Sequence, residues 1–144
     1  MGKYIDEQPA GYVEGVKNTL LYVASVETCY TNGSIYQGVE LYFYGLMDGM
    51  YQDQTVTLTV PEAQEAIKIL TRMTEIAKKY DTKKEGNNEL HFRVNDELRF
   101  CMVIFDRTVA VGISGGNTVC YFRPRQLSEV KDLIGKATIN LTIK

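Results

Sequence analysis

Five of the six arginines, Arg93, Arg99, Arg107, Arg123 and Arg125, fall between positions 93 and 125, in a stretch without lysine. A guanidinium is planar, permanently charged and rich in donors, so it grips phosphate oxygens in a fork and stacks on bases. Residue alternation places Arg93 and Arg99 opposite the apolar side chains of Phe92, Leu98 and Phe100. With His91 and Phe105 beside them, they predict a platform for single-stranded DNA or RNA. Arg107 and Arg123 would add charge, and Tyr42 and Tyr44 would extend the stacking surface from the first half of the chain. Strand arginines also pair with neighbouring carboxylates, and Glu89, Asp96, Glu97 and Asp106 are interleaved with them. Structural or protein-contact use of these charges therefore stands as the competing reading.

Other chemistry has fewer residues to work with. His91 is the sole histidine, which excludes a multi-histidine metal site by count. Cys29, Cys101 and Cys120 are far apart, with no CxxC pair and no disulfide framework. A cysteine nucleophile partnered by His91 is arithmetically open to Cys101 or Cys120, yet such residues are usually small buried hydrophobes. Asp48, Asp53, Glu27 and Glu40 could cluster, but most carboxylates of an acidic chain are simply solvated. The run Ile113-Ser114-Gly115-Gly116-Asn117 lacks the phosphate-loop spacing and reads as a hairpin turn. The chain is read as a non-enzymatic binding protein with no cofactor and no metal.

These side chains need elements to carry them. Leu20 to Tyr30, Ile35 to Leu46 and Gln54 to Val60 read as strands, with Asn32-Gly33 and Asp48-Gly49 as turns. Pro61 opens a helix in which Ala63, Ala66, Ile67, Leu70, Met73 and Ala77 recur at three- and four-residue steps. After a charged junction at 78–89 come four short strands, the last with Val119 and Tyr121 on its apolar side. A second helix follows Pro124 and stops at Gly135, and Ala137, Ile139, Leu141 and Ile143 alternate as a closing strand. Residues 1–19, with Gly2, Pro9, Gly11 and Gly15, read as an irregular arm.

The expected fold is α+β, with antiparallel sheets each packed by one helix. It is organised as one domain over 20–144 in two related halves, 20–80 and 88–144. A cassette recurring 63 residues apart supports the relation: Thr55/Thr118, Val56/Val119, Pro61/Pro124, Ile67/Val130, Lys68/Lys131 and Leu70/Leu133 match or nearly match.

At 144 residues the chain can bury an ordinary core without staples. Its net charge of −2 argues against coating nucleic acid or a membrane by bulk charge. The distribution is lopsided, net −5 over residues 1–60 and +3 over 61–144. Odd, scattered cysteines, no signal-like N-terminus and no long apolar run predict a cytoplasmic protein without membrane contact.

The strand-into-helix cassette, Thr55-Val56-Thr57-Leu58 with Glu62 to Leu70 and Val119 to Phe122 with Arg125 to Ile134, resembles the last strand and helix of the transcriptional positive-cofactor-four, Whirly and Pur-type superfamily. Those proteins repeat four strands and one helix. The resemblance implies binding of single-stranded nucleic acid on a curved sheet face, in dimers or tandem repeats. It transfers no individual binding residue, so the arginine assignment rests on alternation. Two alternatives stand beside it. One is a protein-interaction module or inhibitor of phage or mobile-element accessory type, using the tyrosine-rich acidic first half. The other is a small-ligand binder or enzyme with a pocket between the halves.

Overall fold

Strand signals crowd the first sixty residues, and the computed structural model, which describes residues 2–79, 90–105 and 108–142, turns them into a four-stranded antiparallel meander. Its strands are β1 (Lys3–Glu14), β2 (Leu20–Tyr30), β3 (Ile35–Met47) and β4 (Met50–Leu58), followed by helix α1 (Val60–Lys78). A second meander comprises β5 (Leu90–Arg93), β6 (Leu98–Phe105), β7 (Thr108–Gly115) and β8 (Thr118–Phe122); a 3-10 turn at Pro124–Gln126 leads into helix α2 (Leu127–Thr142). The fold is α+β, and its element order is four strands then a helix, met twice. No helix among the described residues is long and apolar enough to cross a membrane.

Three expectations are corrected. Within residues 1–19, expected as an irregular arm, Lys3–Glu14 instead form a regular strand, β1, that pairs with β2 from Lys3↔Tyr30 to Glu14↔Leu20. A register shift between Pro9 and Gly11 breaks the alternation that would have revealed it. Residues 137–142 do not form a closing strand but the second half of α2. Val130, Ile134, Ala137 and Leu141 share one buried helical stripe, while Ile139, which a strand would have put beside Ala137 and Leu141, is 54% exposed. In β8, Cys120 and Phe122 enter the core instead of Val119 and Tyr121. The junction expected at 78–89 lies, from residue 80 onward, outside the described residues.

That last change exposes a phase difference within the cassette. Val56 and Leu58 are buried, whereas Val119, the counterpart of Val56, is not. Two residues separate Leu58 from Pro61 and only one separates Phe122 from Pro124, so equal spacing in sequence does not give equal faces in the strands.

The meanders join at one corner. β4 occupies one edge of β3 from Val39 to Met47; on the other edge β2 ends opposite Tyr44 and β8 takes over, with Leu46 paired to Val119. The β1–β2 loop closes the seam through Val16 N–H to the Tyr121 carbonyl at 2.8 Å. The approach is close enough that a Cβ on Gly45 would lie 2.4 Å from the Val119 carbonyl oxygen.

Helix α2 starts beside this seam and crosses onto β1, β2 and β3 while packing against α1. Each meander is therefore not simply roofed by the helix that follows it. Gln126 donates to the Glu14 carbonyl at 2.7 Å, and Lys136 to that of Ala10 at 3.4 Å. Leu41, Phe43 and Val56 from the first meander, Phe100, Ile113 and Phe122 from the second, and Leu70, Met73 and Ile134 from the helices form one core cluster. Among the described residues, both helices contribute to this one cluster on the same side of the strands.

Candidate nucleic-acid interface

β5 and β6 are the elements that hold the arginines. Leu98, Phe100 and Met102 go into the core, which by the two-residue period sends Arg99 and Cys101 outward. Arg93 pairs directly with Arg99 and His91 with Cys101 across the two strands. Both arginines are exposed. Arg99 donates to the Gly116 carbonyl at 3.1 Å, a neutral partner. Arg93 approaches Asp96 at 3.8 Å, with the two side chains 65% and 99% exposed, a geometry that contributes little.

The interleaved acids are sorted by the strand boundaries. β5, β6, β7 and β8 contain no aspartate or glutamate, and Asp96 and Glu97 lie in the turn between β5 and β6. Glu89, Asp106 and Arg107 lie outside the described residues. Phe105 is the last residue of β6, paired with Thr108.

Arg123 does not join the pair. It follows β8, where its N–H donates to the Gln126 side chain at 2.9 Å. From Val119, which shares a register row with Ser114 and Arg99, it is four residues along the strand, about 13 Å. Tyr121 is the aromatic that sequence reasoning missed here. It lies on the outward face beside Gly112, and the Lys17 ammonium sits 5.6 Å from its ring centroid. Reading Val119 and Tyr121 as core hid it, although Cys120 and Phe122 carry an equally apolar alternation.

Tyr42 and Tyr44 share the outward face of β3, on the other meander. Tyr44 stacks on Tyr51 with centroids 5.3 Å apart and planes 11° from parallel. Tyr42 pairs with Tyr22 of β2, which pairs with Tyr12 of β1. Carboxylates surround this row, not arginines. A hydrogen bond to Asp53 holds the Tyr42 hydroxyl above its ordinary range, and burial with the nearby charges of Glu7 and Glu40 does the same for Tyr22. The Glu40 carboxyl is itself raised, first by burial and then by Glu7. Three strand spacings, about 14 Å, separate β3 from β6, so these tyrosines and the arginine pair are two distinct sites.

Cys120 and Cys101 differ in their surroundings. Cys120 is buried at the seam with its sulfur 3.4 Å from the carbonyls of Leu20 and Tyr44, and burial pushes it up to about 12. Cys101 faces outward, directly opposite His91 across β5 and β6. Among the described residues no group of three or more His, Cys, Asp and Glu side chains could hold a metal ion. Comparison with protein-family models and with curated proteins finds no match to this chain.

Proposed function

We propose that the chain binds single-stranded nucleic acid on the outward face of β5–β8. The observation that carries this reading is Arg93 opposite Arg99, both exposed, on four strands without a carboxylate. Their forks suit phosphate oxygens, and Tyr121 and the imidazole of His91 offer flat surfaces on which bases stack. The order of four strands and a helix, met twice, is the order that the positive-cofactor-four, Whirly and Pur-type resemblance implies, and it supports the same reading.

Fluorescence anisotropy with a labelled single-stranded oligonucleotide at two salt concentrations tests it. Binding should weaken with salt, and Arg93→Ala/Arg99→Ala should flatten the log–log slope by about 1.4, since each single-strand phosphate contact contributes about 0.7. No binding at low salt, or a slope unchanged in the double variant, would overturn the assignment.

A further inference from the structure

The face of the first meander is the electrical opposite of the arginine face. Strands β1–β4 carry six carboxylates, of which the register places Glu7, Glu14, Glu40 and Asp53 on the outward face with a single cationic side chain, Lys3, whereas β5–β8 carry arginine and histidine and no acid within the strands. Across β1, β2 and β3 the outward row is Tyr12, Tyr22 and Tyr42 in direct register, with Glu7, Glu40 and Asp53 around it. Tyr12 is 61% exposed.

Tyrosine faces bordered by carboxylates have a specific chemical complement. A guanidinium stacks flat on a phenol ring while its edge donates to a carboxylate, so one group satisfies both features. The chain displays that group itself, on Arg93 and Arg99, and its small net charge of −2 adds little long-range repulsion between copies.

We propose that this protein self-associates, the Arg93–Arg99 ridge of one copy seating on the tyrosine–carboxylate face of another. A four-stranded patch about five residues deep offers roughly 300 Å² a side, so a single contact would be weak. Two reciprocal contacts in a closed pair would bring the area to roughly 600 Å² a side, the scale of a transient complex. The association is therefore reversible and sensitive to salt. It uses the same arginines as the nucleic-acid reading but does not depend on it.

Sedimentation velocity without oligonucleotide decides the matter, over about 5 to 200 µM protein at low and high salt. The native chain should associate at low salt and dissociate at high salt. Arg93→Glu/Arg99→Glu and Glu7→Lys/Asp53→Lys replace exposed side chains, so both variants should fold, which circular dichroism checks. Each alone should associate at least about tenfold more weakly, because like charges then oppose. An equimolar mixture should associate again, since every contact in a mixed pair is either native or reversed on both sides. A native chain that stays monomeric at low salt overturns the proposal, including the case in which a basic peptide binds the tyrosine face and assigns it to another protein. So does association that neither variant weakens.

Discussion

Glu62 shows how much one side chain can hold in this fold. Its carboxylate accepts from the Thr59 N–H at 2.9 Å, while its own N–H donates to the Thr59 hydroxyl at 3.2 Å, closing a capping box at the start of α1. The second carboxylate oxygen takes the Asn95 amide at 2.8 Å, tying the helix to the β5–β6 turn. The Asn95 bond first, and then the Thr59 N–H, hold its carboxyl below the ordinary value of 4.5. A carboxyl whose folded value is depressed lends stability in full above the unfolded value and loses it as pH falls through the folded one. Glu62→Ala should cost about 1 kcal/mol at neutral pH, and the thermal midpoints of variant and native chain should converge below pH 4.5. A constant difference across that range would show that the charge has no part in the cap.

Among the elements, α2 departs most from its sequence pattern. Alternating Ala137, Ile139, Leu141 and Ile143 suits a strand, yet Ile134, Ala137, Thr138 and Leu141 equally suit one helical face, and packing against α1 and β1–β3 selects the helix. Gly135 then sits inside the helix with nothing within 4 Å of where its Cβ would be. Gly135→Ala should therefore raise stability by about 0.5–1 kcal/mol, read as a higher melting temperature. Had the glycine ended the helix in a left-handed conformation, the same change would lower it, so the sign of the shift discriminates. β1 taught a similar lesson: Pro9 and Gly11 read as loop residues, but a proline is tolerated in an edge strand and a bulge absorbs the extra residue.

At the scale of the molecule, the seam decides how the two faces are presented. Gly115 ends β7 against the first meander, where an added Cβ would lie 2.4 Å from the Phe43 ring and 3.0 Å from Val56. Neither neighbour can yield inside a shared core. Gly115→Ala should cost about 1–3 kcal/mol by overpacking, lowering the denaturant midpoint with one cooperative transition retained. Two separated transitions in the native chain would instead mean that the meanders fold independently. The same seam keeps the face of β5–β8, whose strands hold no carboxylate, and the carboxylate-rich face of β1–β4 in one molecule, the bipolar arrangement on which the proposed self-association rests.

Local periodicity sufficed for the α+β class, for seven of the eight strands among the described residues in outline and for α1, because alternation and helical spacing are written in neighbouring residues. It also sufficed to put Arg93 and Arg99 on one outward face, since their parity relative to Phe92, Leu98 and Phe100 is a local property. The partnership of β3 with β8, the crossing of α2 onto the first meander and the burial of Cys120 and Phe122 in place of Val119 and Tyr121 were settled only in three dimensions. Each depends on which distant surface fills the other side of an element. Where two alternations are equally apolar, as in Thr118–Phe122, burial against that surface breaks the tie.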